Sequence, residues 1–371
     1  MKKRMICLFL TVVLCFSLLP SAALASEATA TPCYIASSDC PEAYIEFARE
    51  NISKFVMSIT ENLPESRFSV GTPFAFAAQD ADIYYFPVIA NGKIKYLFRV
   101  YPSGDSFGCA ITEFLAAELN ELAPLTSAGS PMYLKLVDDC IVATIGSQTY
   151  ELFRYPVSMS DDTESAVFTT TACYSARNAA ESTDIELDLH PTRQVSNYIP
   201  LSIHEDDIQT TNNKWCTAYC LAAIIRTQAN YSVTSVNARA LMTSAIGANP
   251  STETAFPWPA DNGATMARIC SRYELYPTIL TVPTTNSVLI QEIMADRPCL
   301  VALETNHENN IERKHHSVVL RGWSNAGIWS IWNPWFDHYE NYSITGTYVP
   351  TDHNASDWSF TTAYMHAYGF D

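Results

Sequence analysis

The chain has 371 residues, of which 48% are hydrophobic, and its 22 basic and 39 acidic side chains give a formal net charge of −17 at pH 7. This acidic balance argues against nucleic acid or an anionic membrane as the binding partner. The length is sufficient for two domains rather than one.

Residues 1–25 predict a signal peptide rather than a part of the fold. A basic segment at residues 2–4 precedes an apolar run at residues 5–19, and Ala-Leu-Ala at residues 23–25 provides a cleavage site before Ser26. An uncleaved membrane anchor is the alternative. Because no later apolar run is long enough to cross a membrane, we expect a secreted protein without a membrane span in its mature form.

Residues 26–190 predict a small α+β domain with an antiparallel sheet. We expect, in chain order, a helix at residues 41–62, strands at 83–89 and 94–100 joined by a turn at Asn91-Gly92, and a helix at 112–122. Strands follow at 132–136 and 141–145, joined by a turn at Asp138-Asp139, and at 149–153. The C-terminal part of this domain, residues 175–194, is polar and predicts a linker. Arg177 and Arg193 are exposed candidates there for an activating cleavage.

Residues 191–371 predict a second α+β domain, in which helices come first and an antiparallel sheet follows. We expect helices at residues 215–229, 236–243, 262–273 and 289–296, strands at 299–304, 316–323 and 327–333, and further strand at Tyr348 and residues 363–368.

The cysteines predict a free thiol and argue against a metal site. Nine of the 11 cysteines remain without residues 1–25, and an odd number in an exported chain indicates at least one unpaired thiol. Cys33 and Cys40 are close enough in sequence to form a disulfide. There is no CxxC pair, and the His307-Glu308 pair does not continue as HExxH because residue 311 is Ile. We therefore expect no metal and no cofactor.

Cys216 is the candidate nucleophile, because it stands at the predicted start of a helix. The partial positive charge of a helix N-terminus lowers the pKa of a thiol placed there. A buried structural cysteine is the alternative, as we expect for Cys220 one turn further along.

His316 or its neighbour His315 is the candidate base, and Asn333 is the candidate that orients the imidazole. A base at the start of a predicted strand is held rigidly. The Asn333 amide oxygen can accept a ring N–H, and Trp335 can shield that bond from water. The alternatives are a surface histidine pair and an ordinary Asn-Pro turn.

Three segments together resemble the staphopain group of papain-like cysteine proteases. They are Trp-Cys-Thr-Ala-Tyr at residues 215–219, His-Ser-Val-Val-Leu-Arg-Gly at 316–322 and Ile-Trp-Asn-Pro-Trp at 331–335. The order Cys, His, Asn is that of a papain-like site, and Gly322, six residues after His316, favours His316 over His315. The resemblance extends over about residues 195–371.

The resemblance implies a papain-like catalytic domain and a secreted bacterial zymogen. Residues 26 to about 190 would be a propeptide that blocks the cleft as an intramolecular inhibitor. The mature enzyme, which we expect to be a monomer, would cleave protein or peptide substrates. Cys216 would be the nucleophile, His316 the base and acid, and Asn333 the orienting residue, supported by Trp215 and Trp335.

The sequence departs from the family at the oxyanion hole. The family has a Gln six residues before the Cys, whereas position 210 is Thr here and Gln209 lies seven residues before Cys216. A one-residue insertion in the loop can restore the geometry around Gln209, and Asn212 or Asn213 is the alternative donor.

Two other functions stay open on the sequence. The same scaffold serves other thiol hydrolases and acyltransferases, such as cell-wall amidases, although the Asn-Pro-Trp segment favours a protease. The second is a secreted binding protein with an inactive site.

Overall fold

The computed structural model of the chain describes residues 31–60, 67–77, 83–103, 105–137, 140–154, 174–189, 196–209, 213–257, 263–280, 286–305, 315–343, 358–359 and 367–370. Several predictions lie outside these residues: the signal peptide, the Asp138-Asp139 turn, Arg193, Asn212, the residues 307–311 segment and Tyr348.

The described residues form six α-helices, each ending near its predicted bounds or within them. They are α1 (Glu42–Thr60), α2 (Ala116–Leu122), α3 (Cys216–Ala229), α4 (Ala238–Ile246), α5 (Ala264–Cys270) and α6 (Asn286–Met294). In α1 an apolar stripe at helical spacing faces inward, with Tyr44, Ala48, Ile52 and Phe55 buried. The central helix α3 is buried on almost all sides. It is followed by the C-cap residue Asn230, whose backbone is left-handed with φ 54°.

Nine strands lie before residue 190 in the described part of the chain. They are β1 (Tyr34–Ser37), β2 (Phe68–Val70), β3 (Tyr84–Ala90), β4 (Lys93–Ser103), β5 (Ser106–Thr112), β6 (Met132–Val137), β7 (Cys140–Ile145), β8 (Gln148–Arg154) and β9 (Ser175–Asn178). The β3–β4 hairpin turns at Asn91-Gly92, where both residues have positive φ, as the sequence predicted.

Eight strands follow in the described part after residue 195. They are β10 (Ser196–Tyr198), β11 (Pro277–Leu280), β12 (Cys299–Thr305), β13 (His315–Ser324), β14 (Ile328–Trp332), β15 (Tyr339–Ser343), β16 (Trp358–Ser359) and β17 (Ala367–Phe370).

The strands form two sheets, and the larger one crosses the predicted domain boundary. The smaller sheet has the order β8-β7-β6-β1-β9, with one parallel pair, β1 and β6. The larger sheet has the order β11-β17-β12-β13-β14-β15-β5-β4-β3-β2, with β10 on β13 and β16 on β12, and all its described pairs are antiparallel. The α+β class with antiparallel sheets is therefore confirmed.

We call residues 31–189 the N-terminal half and residues 196–370 the C-terminal half. The two halves meet where β5 pairs with β15, so one sheet runs through both. In β13 the side chains alternate between two apolar cores, as period-2 strand geometry requires. Val319 packs with α3, whereas Val318 and Leu320 belong to a cluster shared with the N-terminal half.

The described part of the segment predicted as a linker, residues 175–189, belongs instead to the N-terminal half. Residues 175–178 form β9, which pairs with β1 in antiparallel register, and Ile185 is buried against α1 and the neighbouring sheet. Arg177 pairs with Asp39 from within this strand and is only partly exposed. The prediction of an exposed cleavage point at Arg177 was wrong. The polar composition of this segment gave no sign of its strand pairing, in which Arg177 lies opposite Ile35, 142 positions upstream.

The described cysteines are all free thiols. They are Cys33, Cys40, Cys109, Cys140, Cys216, Cys220, Cys270 and Cys299, and only Cys40 and Cys216 among them are partly exposed. The disulfide considered for Cys33 and Cys40 is therefore wrong. The Cys33 thiol is buried and points to the Leu119 carbonyl of α2, 3.7 Å away.

Candidate active site

Cys216 is the first residue of α3, and the preceding Trp215 is held from two sides. The Trp215 backbone N–H donates to Asn213 Oδ1 at 3.1 Å, and its indole N–H donates to the Ser251 carbonyl at 3.1 Å. The Trp215 carbonyl accepts the Ala218 N–H at 2.8 Å and so starts the helix. These bonds fix the helix start and, with it, the partly exposed Cys216 side chain.

His316 is the second residue of β13, and Asn333 and Trp335 hold its imidazole. His316 Nε2 lies 2.8 Å from Asn333 Oδ1, and the imidazole stacks on the Trp335 indole with ring centroids 4.0 Å apart. The same Oδ1 accepts the Trp335 backbone N–H at 3.0 Å, which identifies it as the oxygen of the amide. In the neutral imidazole Nε2 therefore carries the hydrogen, and Nδ1 is the nitrogen that can take a proton.

The first turn of α3 packs against the start of β13. Thr217 Oγ1 and Ser317 Oγ are 2.8 Å apart, and the Cys220 thiol donates to the Ser317 carbonyl at 3.2 Å. Ser317 also lies within hydrogen-bonding reach of the Cys216 thiol. Ser317 directly follows His316, so the first turn of α3 lies against the strand segment that carries His316, although consecutive side chains of a strand point to opposite faces.

Burial disfavours the charged form of both candidate groups. It lowers the pKa of His316 from 6.5 to about 4, against the hydrogen bond with Asn333, which raises it. It raises the pKa of the Cys216 thiol, against hydrogen bonds from Ser317 and Thr217, which lower it. The expectation that the helix N-terminus leaves this thiol with a lowered pKa was wrong, because desolvation outweighs it.

A neutral thiol and a neutral imidazole can perform nucleophilic chemistry when the substrate complex brings them within hydrogen-bonding distance. In the tautomer with hydrogen on Nε2, His316 Nδ1 is the basic nitrogen, and a basic nitrogen that accepts the thiol proton as the sulfur attacks acts by general-base activation. The arrangement does not require an ion pair that exists before the substrate binds.

Gln209 lies beside the site, with its side-chain amide already engaged. Its backbone N–H donates to the Pro334 carbonyl at 2.7 Å. Its Nε2 donates to the Asn213 carbonyl at 2.5 Å and to Asn213 Oδ1 at 3.2 Å, and the side chain is buried. Gln209 can serve as an oxyanion donor only if Nε2 leaves Asn213. The alternative donor Asn213 is engaged as well, since its Nδ2 donates to the Tyr219 hydroxyl at 3.3 Å.

A buried ion pair that the sequence analysis missed ties the Gln209 loop to the helix of Cys216. Asp207, two residues before Gln209, pairs with Arg226 of α3, and both side chains are buried. Arg226 also donates to the carbonyls of Ser202 and Val236. Burial raises the pKa of Asp207, against the charge of Arg226, which lowers it. No local motif reveals a pair that is 19 residues apart.

The turn that carries Asn333 rests on aromatic residues of the N-terminal half, which the sequence analysis also missed. The Phe336 N–H donates to the Asn333 carbonyl at 3.0 Å, and the Phe336 carbonyl accepts the Trp332 indole N–H at 3.0 Å. The Phe336 ring packs on Phe114 and Phe153, with centroids 4.9 and 5.4 Å apart. The N-terminal half therefore supports this turn directly.

Gly322 has a steric role at the edge of this region. A Cβ on Gly322 would overlap the ring of Tyr198, which lies opposite Gly322 in the antiparallel pair of β10 and β13. The pairing of β13 with β14 also shifts register between Leu320 and Gly322. The glycine that the resemblance singled out is therefore required by close packing of strands.

A cavity of about 540 Å³ lies between the two halves next to the Asn333 turn. Its lining includes Ile59 and Glu113 from the N-terminal half and Ile208, Asp337 and His338 from the C-terminal half. The cavity thus opens at the junction of the halves, beside the loop of Gln209.

The described residues contain no group of three or more His, Cys, Asp or Glu side chains placed to hold a metal ion. Within the same residues, none of the helices has the length and apolar character needed to cross a membrane.

Comparisons with known proteins leave the family unassigned. No protein-family model matches the chain, and no curated protein matches its sequence.

Proposed function

We propose that the chain is a thiol peptidase of the papain type, with Cys216 as nucleophile, His316 as base and acid, and Asn333 as the orienting residue. The observation that carries the proposal is the His316–Asn333 hydrogen bond beneath Trp335. It is supported by the position of Cys216 at the start of α3, whose first turn packs against Ser317, the neighbour of His316. The segments around these residues resemble the staphopain group. We therefore propose, more particularly, a staphopain-like secreted endopeptidase.

The proposed reaction begins with proton transfer from Cys216 to His316 Nδ1 as the sulfur attacks the peptide carbonyl. The imidazolium then gives this proton to the leaving amine, and water hydrolyses the acyl-enzyme with His316 again as base. Asn333 Oδ1 accepts the Nε2 hydrogen throughout the reaction and keeps the imidazole in one orientation. The backbone N–H of Cys216, at the helix N-terminus, is the first oxyanion donor.

The second oxyanion donor is proposed to be Gln209. Substrate would have to draw its Nε2 away from Asn213, where the two hydrogen bonds hold it now. Loss of one such donor costs about 10²–10³ in rate in acyl-transfer enzymes. A slow enzyme, or one that is activated by a rearrangement of this loop, is consistent with the engaged amide.

The remaining parts of the chain take roles that follow from the proposed zymogen. Residues 1–25 would direct export, and residues 26–190 would act as an intramolecular inhibitor. The substrates would be proteins or peptides, cleaved by a monomer. The support for a role of the N-terminal half at the site is its contact through Phe114 with Phe336, three residues after Asn333.

A secreted binding protein with an inactive site is the second candidate. It is favoured by the raised pKa of Cys216 and by the engaged amide of Gln209. A dead site has no need of the hydrogen bond that fixes His316 in one tautomer, so we rank this candidate below the peptidase.

Labelling with a peptidyl epoxide separates the two candidates. The peptidase predicts covalent label on Cys216 alone, and His316→Ala should slow the labelling by roughly 10²–10⁴-fold, because the base is lost. Cys40 is the matched control, since it is the other partly exposed thiol among the described residues and its pKa is raised to about 12. Label distributed over Cys40 and Cys216 alike, with no effect of His316→Ala, would support the inactive binding protein.

A further inference from the structure

The two halves share a strand ladder. In β5 and β15 the register pairs Thr112 with Glu340, Ile111 with Asn341 and Ala110 with Tyr342. This ladder joins four strands of the N-terminal half to β13, which carries His316, and to β14, which ends directly before Asn333. Separation of the halves would leave both β5 and β15 as open edges, which native proteins avoid at buried positions.

Buried polar groups cross the same junction. Arg99 Nη2 of β4 lies 3.6 Å from Glu340 Oε1 of β15, and both side chains are buried, at 2% and 0% exposure. Asn341 Nδ2 of β15 donates to Ser58 Oγ of α1 at 2.9 Å. The ion pair and the hydrogen bond each join the two halves, so separation of the halves would cost both interactions.

Apolar side chains close the junction on both faces of the shared sheet. On one face Phe336 packs against Phe114 and Phe153 within a cluster that mixes residues of both halves. On the other face Ile328 of β14 lies in the cluster formed by α1 and the N-terminal strands. An exposed apolar surface of this kind drives reassociation or aggregation.

We propose that the N-terminal half is a permanent partner of the C-terminal half and stays bound after the chain is cut between residues 189 and 196. The partner surface is the ladder of β5 and β15 with the buried groups on either side of it. The proposal rests on the proposed function only where it concerns activation: a cut at this place would yield a two-chain enzyme rather than a released propeptide.

An N-terminal half that stays bound after the cut would continue to support the candidate active site. The Asn333 turn would keep its support from Phe114 and Phe153 in the cut protein. Relief of inhibition would then come from a local change near the cleft, and dissociation of the N-terminal half would not be needed.

The test uses the full chain with Cys216→Ala, so that its own activity plays no part. A recognition sequence for a site-specific protease is placed between Leu189 and Ser196 and extended with glycine and serine until the chain is cut. Size-exclusion chromatography of the cut chain, at micromolar concentration and after 100-fold dilution, should give one peak at the size of the uncut chain, containing both pieces. Two separate peaks, or precipitation of either piece while the other stays in solution, would overturn the proposal.

Charge variants on β4 test whether the buried junction holds the halves together. Arg99→Gln should make the cut pieces separate at a lower urea concentration than the unmodified pieces, because Glu340 loses its buried counter-charge. Lys95→Gln on the same strand is the matched control, since its pair with Glu113 is exposed and lies within the N-terminal half. Arg99→Met with Glu340→Leu should restore the urea resistance, and equal shifts for Arg99→Gln and Lys95→Gln would contradict the proposal.

Discussion

The backbone N–H of Gln209 donates to the carbonyl of Pro334 at 2.7 Å, which ties the loop before Cys216 to the turn that carries Asn333. The three candidate catalytic residues are therefore held by a connected frame. The Asp207–Arg226 ion pair fixes the segment before Cys216 to α3, and the Gln209–Pro334 hydrogen bond joins this segment to the turn of Asn333. Asn333 in that turn holds the His316 imidazole.

Asn333→Ala should lower kcat by about 10²-fold and leave KM nearly unchanged, because a misplaced base slows the chemical step by this order. The His316 ring would lose the acceptor of its Nε2 hydrogen. Steady-state kinetics on a peptide substrate measure both constants. Asn197→Ala is the matched control, since it removes an amide that bonds the Ile293 carbonyl away from the site. Equal kcat values for the two variants would contradict the assigned role of Asn333.

His316 should make the protein less stable in acid. Its pKa is about 4 in the folded protein and 6.5 when unfolded, so the unfolded chain binds more protons between these values. The contribution of the neutral His316 to the free energy of unfolding is fully present above pH 6.5 and is lost as the pH falls towards 4. The loss attributable to His316 is roughly 3 kcal/mol at pH 4. Urea unfolding of the wild type and His316→Gln at pH 7.5 and 4 measures it, and the same pH dependence in both proteins would refute it.

Trp335→Ala should raise the pKa of His316 from about 4 towards 6.5, because water would reach the imidazole face that the indole now covers. The space left by the missing indole should also lower the free energy of unfolding by about 3–5 kcal/mol. NMR titration of the imidazole measures the pKa. Trp335→Phe, which keeps an aromatic face, should retain most of the shift; an unchanged pKa in Trp335→Ala would show that the indole does not desolvate His316.

Asp207→Asn should destabilise the protein by about 3–5 kcal/mol, since it leaves Arg226 buried without its counter-charge. Urea unfolding measures the effect. The exposed pair of Lys214 and Glu253 provides the control, because Glu253→Gln should cost no more than about 1 kcal/mol. Equal losses in the two variants would mean that the buried pair does not anchor the loop.

Short-range patterns predicted most helices and hairpins of this chain. The helix that begins at Cys216, the Asn91-Gly92 turn and the alternation of Val318 and Val319 across β13 all follow from local periodicity. Two strands at the junction of the halves, β5 and β15, were missed. Of the β5 residues only Thr112 was assigned, and it was assigned to the helix that follows. The β15 sequence is polar, and its pairing with β5 joins residues more than 200 positions apart.

The sequence predicted which residues form the candidate site, but it did not predict their pKa values or hydrogen-bond partners in full. The sequence placed His316 ahead of His315, and the hydrogen bond to Asn333 is made by His316. The pKa of Cys216 could not be predicted, because it depends on burial by elements distant in sequence. The same holds for Gln209, because no local pattern predicts the hydrogen bond of its amide with the Asn213 carbonyl.

Digestion of casein tests the central claim most directly. The protein, cut between residues 189 and 196, is compared with its Cys216→Ala and Cys40→Ala variants, since these two thiols are the partly exposed ones among the described residues. The proposed mechanism predicts digestion by the wild type and by Cys40→Ala, and none by Cys216→Ala, which should keep the same thermal unfolding midpoint. Casein digestion by Cys216→Ala at the wild-type rate, or no digestion by the wild type, would contradict the assignment of Cys216 as the nucleophile of a peptidase.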